Sequence, residues 1–243
     1  MRIGETSESL KASIVEVKKI RLSSLKGKYE LYSEGTLLMG SNSIPSSYAF
    51  GQDPVRRFAQ RFFSPRRVMV AGLGMGVTLS AVLAFQYVER VDVVEINQDV
   101  IRWNQVHFKA TNRGCLNDPR VRVIQEDIGK LLLKPWPKYD LILLDVDNGP
   151  HMLARKENES LYRLKGQRFF KDALLQPGLL AVWSAVSDSQ FLRYLARVFE
   201  EAAEVRVQRK TFTPDYFYLG YALSTGSEGW LVNTWRDVID IGD

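Results

Sequence analysis

Glycines at the end of one apolar run and acids at the ends of three others carry most of the chemistry this sequence can perform. Gly72, Gly74 and Gly76 form G-x-G-x-G inside "VMVAGLGMGVTLSAVLAF". Glycine there lets backbone approach a ligand closely, and the helix that follows opens with unpaired N–H groups. The dinucleotide fingerprint G-x-G-x-x-G needs glycine at position 77, where Val77 stands, so a nicotinamide cofactor is disfavoured. Glu95 ends the next apolar run, "VDVVEIN", at the point where an acid accepts hydrogen bonds from a ribose diol. Asp127 closes "VRVIQED", where a carboxylate can meet an adenine amino group. The three features in register point to an adenosyl ligand of the S-adenosylmethionine type.

The reaction, if there is one, belongs to "YDLILLDVDNGP". Asp145, Asp147 and Asn148 stand just past an apolar strand, at the edge where parallel sheets hold their ligands. Alternation turns Asp145 and Asp147 to one side if the strand persists that far. Paired carboxylates near a sulfonium attract a cationic nucleophile or take its proton. The competing reading is that one of them, Asp147 above all, caps the loop. His151 follows directly as a general-base candidate or a plain loop histidine, and His107 reads as a surface residue. Two histidines so far apart, with a single cysteine (Cys115) in the chain, give no metal-ligand spacing, so no metal is expected. Trp103 and Trp183 read as core residues, with Trp183 placed to wall the pocket.

These residues need a scaffold that delivers strand ends to one edge, and from residue 67 the pattern supplies it. Strand "RVMVAG" precedes helix "GVTLSAVLAFQY". Strand "RVDVVEIN" precedes "NQDVIRWNQVHFK", and "VRVIQED" precedes "IGKLLLK". "YDLILLDVD" and "GLLAVWSAV" each lead into a further helix, and "EVRVQRKTF" with "YFYLGYALST" reads as an antiparallel pair. Such alternation requires a mostly parallel, doubly wound α/β sheet. Residues 1–50 read as a β-rich appendage ending in the loop "SNSIPSS", residues 51–226 as the Rossmann-like domain and 227–243 as a tail. The first helix is expected behind Asp53, with Pro54 in its first turn. The segment 149–162 reads as a long charged loop, a lid or a disordered stretch, in which Arg155 and Lys156 serve solvation.

Composition excludes several classes. The charge of +5, from 33 Lys and Arg against 28 Asp and Glu, is spread rather than blocked, and no basic run with interleaved aromatics marks a nucleic-acid groove. The N-terminus lacks the continuous apolar core of a signal peptide, and no apolar run is long enough to span a membrane. A lone cysteine suits a reducing, cytoplasmic setting.

From about Leu31 to Thr225 the sequence resembles the spermidine synthase (polyamine aminopropyltransferase) family. The likeness is carried by the glycine loop, "VDVVEIN", "NDPRVRVIQEDI", "YDLILLDVD", the "LY" of Leu161 and Tyr162, and "DALLQPGLLAV". It implies a class I S-adenosylmethionine-binding fold, with a seven-stranded sheet whose last strand is antiparallel, behind a small N-terminal β domain. It also implies S-adenosylmethionine or its decarboxylated form as donor, a small-molecule amine as acceptor and a homodimer paired through the N-terminal region. Carried over by position, Glu95 holds the ribose, Asp127 the adenine, and Asp145 stands beside the reacting amine. Three positions depart from the family pattern: Met75 and Asn148 replace aspartates that face the aminopropyl end and the amine, and Gln167 replaces a tyrosine. Each carboxylate lost from an ammonium contact removes about 1.5–3 kcal/mol. Aminopropyl transfer therefore stands against two alternatives, methyl transfer and non-catalytic adenosyl binding. "DVDN" lacks the [DN]-P-P-[FY] pattern of nucleic-acid amine methylation.

Overall fold

The computed structural model describes residues 13–17, 20–25, 28–33, 35–131, 133–209, 212–224 and 233–241. It divides the chain into two units, 1–43 and 44–243. The first is an antiparallel meander of β1 (Ser13–Val17), β2 (Ile20–Leu25), β3 (Lys28–Ser33) and β4 (Thr36–Gly40), in that order. Gly35 turns β3 into β4 at φ 86°, a left-handed conformation that glycine adopts without strain.

The second unit opens with α1 (Ile44–Arg61). This corrects the expected boundary at residue 50 and the expected helix start behind Asp53. Pro45 stands in the first turn, where its missing N–H costs nothing, so "SNSIPSS" enters the helix rather than ending a loop. Pro54 lies inside the helix and is buried. Phe50, Val55 and Phe58 are fully buried. Gly51 permits the close approach of α1 to the next helix: a Cβ there would meet the Thr78 carbonyl oxygen at 2.5 Å.

Strands and helices then alternate as the periodicity predicts. β5 (Arg67–Ala71) leads to α2 (Val77–Leu83), and β6 (Arg90–Glu95) to α3 (Gln98–Val106) and the short α4 (Lys109–Asn112). β7 (Val121–Gln125) leads to α5 (Ile128–Leu131), and β8 (Tyr139–Leu144) to α6 (Leu164–Asp172). β9 (Leu174–Ser184) and α7 (Ser189–Ala196) precede β10 (Glu201–Gln208), β11 (Asp215–Ala222) and β12 (Asn233–Asp240). The sheet order is β12-β10-β11-β9-β8-β5-β6-β7. Only β11 runs antiparallel to its neighbours, and β12 pairs parallel with β10.

The large sheet thus has eight strands instead of seven, because the segment expected as a tail contributes an edge strand. Along 234–240 its residues alternate between exposed and partly buried, the period-two signature of an edge strand. The central strand β8 is buried at every position, as a strand covered on both faces must be. Among the described residues no helix is long and apolar enough to cross a membrane.

Candidate functional site

The carboxyl ends of β5, β6, β7 and β8 meet at one edge, and the expected site residues follow those ends. Gly72, Gly74 and Gly76 all have positive φ, at 94°, 50° and 76°. A Cβ on Gly72 would lie 2.0 Å from the carbonyl oxygen of Asp145, so only glycine lets the loop after β5 cross the end of β8. A Cβ on Gly76 would lie 2.5 Å from Oδ1 of Asn104. Asn104 on α3 donates from Nδ2 to the Gly74 carbonyl at 2.8 Å and accepts from Asn112 Nδ2 at 2.8 Å. The buried Asn104, signalled only by the dipeptide "WN", therefore sets the shape of the loop. Met75 is fully buried, and Trp103 is core as expected.

Glu95 ends β6 and receives the backbone N–H of Leu73 on Oε2 at 3.1 Å and that of Asn97 on Oε1 at 2.8 Å. Each oxygen keeps lone pairs for further donors, such as a pair of vicinal hydroxyls. Burial raises its pKa above the ordinary glutamate value, against the lowering effect of these backbone donors. Ile96 beside it is a 44% exposed apolar side chain, a surface on which a flat ring can lie.

Asp127 follows β7 and caps α5: Oδ1 accepts from the Gly129 N–H at 2.8 Å. Its Oδ2 is 3.1 Å from Nη1 of Arg155, which comes from the loop after β8. Arg155 therefore ties that loop to the third strand end and does more than solvate it.

Asp145 is the first residue past β8, its N–H bonded to the Ala71 carbonyl at 2.8 Å. The Thr78 hydroxyl donates to its Oδ2 at 3.1 Å. Burial pushes the Asp145 carboxyl up to about 6; Thr78 opposes that rise, and the charges of Asp215 and Asp147 add to it. A carboxyl so poised exchanges a proton near neutral pH.

Asp147 has a different position. β8 ends at Leu144, so strand alternation does not carry as far as Asp147. Its Oδ1 accepts from the Ala154 N–H at 2.5 Å, Asn158 Nδ2 reaches both oxygens at 3.0 and 3.1 Å, and the Tyr162 hydroxyl donates to Oδ2 at 2.8 Å. These donors fold 149–162 around one carboxylate, with a 3-10 helix over Lys156–Tyr162 in place of a structureless loop. The geometry gives Asp147 the capping role, whereas Asp145 is only partly buried. Asn148 is buried, its backbone bonded to Met152 and Ala185. Gln167 is fully buried on α6 and donates to the Leu161 carbonyl at 2.7 Å.

His151 pairs with Asp188 at 2.8 Å, away from Asp145's partners, and His107 is exposed. Trp183 is 9% exposed, and its indole N–H reaches Ser46 Oγ at 3.1 Å. Among the described residues no three His, Cys, Asp or Glu side chains gather as metal ligands.

The chain was compared with known protein families, curated proteins and solved structures. A family model described as a spermine/spermidine synthase domain matches residues 55–223. A polyamine aminopropyltransferase of Aeropyrum pernix is 31% identical over 147 residues, which cover 58% of this chain and 44% of that protein. One from a Synechococcus species is 35% identical over 119 residues, covering 46% of this chain and 35% of the relative. The chain thus spans less than half the length of these curated relatives. Among solved structures, spermidine synthase from Thermotoga maritima superposes with a TM-score of 0.70 at 15% identity, covering 91% of this chain and 80% of the other. A spermidine synthase in complex with the transition-state analogue AdoDATO gives 0.69 at 14% identity, covering 91% and 81%. At such identities the likeness is one of fold.

Proposed function

The chain belongs to the spermine/spermidine synthase family, and on that premise we propose that it transfers an aminopropyl group from decarboxylated S-adenosylmethionine to an amine acceptor. The glycine loop and Glu95 bind the adenosine portion, with Asp127 beside the adenine. The amine nitrogen attacks the propyl carbon attached to the sulfonium. As the N–C bond forms, the C–S bond breaks and its electron pair stays on sulfur, leaving neutral 5′-methylthioadenosine. The proton that the nitrogen must shed goes to Asp145. Alignment of nucleophile and leaving group supplies most of the acceleration, and the proton acceptor supplies the rest.

The observation that carries this reading is Asp145 itself. Its backbone carbonyl packs against Gly72 of the glycine loop, and its carboxyl is oriented by Thr78 and raised by burial to about 6. Ionised at neutral pH, it attracts an ammonium; a modest further rise in its pKa lets it keep the proton. Association of the chain as a homodimer belongs to the same proposal, and sedimentation velocity tests it.

The test of the reaction is calorimetric titration with S-adenosylmethionine, its decarboxylated form and 5′-methylthioadenosine, followed by a chromatographic assay for thioether release with added amines. The reading expects tighter binding of the decarboxylated donor, with 5′-methylthioadenosine released in step with aminopropylated amine. Preference for the carboxylated donor, or absence of transfer to every amine, would overturn it.

A further inference from the structure

Among the described residues β12 pairs only with β10, over the whole length Asn233–Asp240 and without a bulge. Ile241 continues the ladder, its N–H donating to the Gln208 carbonyl at 3.2 Å. In a parallel pair, alternate residues turn both backbone groups to the same neighbour, so residues 236, 238 and 240 turn theirs outward. The Val238 N–H accordingly misses β10 and is met by Oδ1 of Asp237 at 2.8 Å, in an exposed position. An outward row of N–H and C=O groups is a template for another strand, and folds blunt it with proline, lysine, a bulge or shortness. The segment "NTWRDVID" holds no proline and no lysine.

The edge is held in place from behind. Arg57 on α1 bonds Asp237 at 2.8 Å and lies over the Trp235 ring, 5.6 Å from its centroid. On the other face Arg236 pairs with the buried Glu204 at 3.2 Å.

The outward side chains complement a second copy of the same strand. A two-fold axis perpendicular to the sheet sets residues of one face opposite each other. Centred on Val238, which is 61% exposed, it places that side chain against its own copy. Arg236 then faces Asp240 of the second copy, once on each side of the axis, and both are exposed. On the opposite face Trp235 meets Ile241, each partly buried in the single chain. The pairs that exchange backbone bonds in this register are those of 236, 238 and 240, whose groups already point outward. The incoming carbonyl replaces Asp237 at the Val238 N–H. Centring on Arg236 or Asp237 would bring like charges face to face, and centring on Ile239 would set Asp240 against Val238. Opposite charges across an antiparallel pair attract and like charges repel, so one register is favoured.

We propose that β12 is a self-recognition edge, through which two copies of this chain join antiparallel about Val238 into one continuous sheet. The interface does not depend on the transfer reaction read above. It deepens only the homodimer proposed with that reaction, placing the contact on the last strand of the large unit rather than in the N-terminal region.

The test is sedimentation velocity over a concentration series on the full chain, for the wild type, Val238→Lys, Asp240→Arg, Arg236→Asp and an equimolar mixture of the last two. Each variant is first shown to be folded by its thermal transition. The wild type should dimerise reversibly. Val238→Lys sets like charges at the axis, and each charge reversal sets them at both flanking pairs. Each variant alone should weaken the dimer Kd about 10- to 100-fold. The mixture should regain dimers near the wild-type Kd, because each chain supplies the charge the other lacks. Arg236→Asp also removes the partner of Glu204; if it does not fold, the exposed positions Val238 and Asp240 carry the test. A wild-type dimer untouched by Val238→Lys and Asp240→Arg would overturn the interface and leave the homodimer standing. Reversals that dissociate the dimer without recovery in the mixture would overturn the pairing of Arg236 with Asp240, and the proposal with it. A wild type that stays monomeric would overturn interface and homodimer together, while thioether release with added amines reads the reaction separately.

Discussion

Thr78 donates its hydroxyl to Oδ2 of Asp145 at 3.1 Å, tying the first turn of α2 to the first residue past β8. The same hydroxyl lies 3.3 Å from the Ser47 carbonyl, so its single proton is divided between a carbonyl and a carboxylate. Bonding to the carboxylate favours the ionised form and restrains the rise that burial causes. Thr78→Val keeps the side-chain shape and removes the donor. The acid limb of kcat/KM should then move to higher pH, by about one unit. An unmoved limb with a lower plateau would reduce Thr78 to packing.

Asp145 should reveal itself in stability as well as in rate. Its carboxyl is held at about 6 against an ordinary 3.8, so the folded chain binds that proton more tightly than the unfolded chain. Its contribution to stability is complete below pH 4 and is lost as pH rises through 6. At neutral pH the burden of the buried charge is on the order of 1–3 kcal/mol. Asp145→Asn is therefore expected to be more stable than the wild type at pH 7.5, with the gap shrinking at pH 4, and to lose transfer at both. Urea melts at the two pH values measure the gap. A gap that does not change with pH would mean that Asp145 does not titrate in this range.

The sheet was legible because its strands are apolar runs interrupted by glycine or acid, and the end of a parallel strand is a place that topology fixes. Gly72, Glu95 and Asp145 could be found in that way. For Asp147 the choice between reacting acid and loop cap could not be made, because its partners Asn158 and Tyr162 lie 11 and 15 residues further on and are chosen by the fold of the loop. Asp215 was out of reach for a related reason. Its charge reaches Asp145 only because β11 reverses beside β9, a long-range pairing that no local pattern announces. Pro45 concealed the start of α1, since proline marks a turn and a helix N-terminus equally well. The alternation of "NTWRDVID" is that of an edge strand, but its partner β10 lies on the far side of a strand and a long connection.

The brace around Asp147 offers a separable test. Tyr162→Phe removes one hydrogen bond to a buried carboxylate and should cost about 1.5–3 kcal/mol. Asp147→Asn leaves the donors of Ala154, Asn158 and Tyr162 facing a neutral amide with a single acceptor, and should cost more. In both variants hydrogen exchange should quicken across 152–162, while the acid limb assigned to Asp145 stays near 6. Should Asp147→Asn abolish that limb in an otherwise protected loop, Asp147 would be the titrating acid instead.

Glu95 allows donor binding to be separated from folding. Its two oxygens hold the Leu73 and Asn97 N–H groups, and in the proposed complex their remaining lone pairs accept from the ribose hydroxyls. Glu95→Gln keeps one carbonyl for the backbone and presents an amide that donates where an acceptor is needed. The charge-assisted bonds lost are worth enough to weaken 5′-methylthioadenosine about 10- to 100-fold. Because burial raises the Glu95 carboxyl above the ordinary glutamate value, acidification should protonate it early and weaken the nucleoside in the wild type. In Glu95→Gln the affinity should be flat over the same interval. Isothermal titration between pH 5 and 8 reads both. Equal pH dependence in the two proteins would place the titrating group elsewhere and remove Glu95 from the ribose.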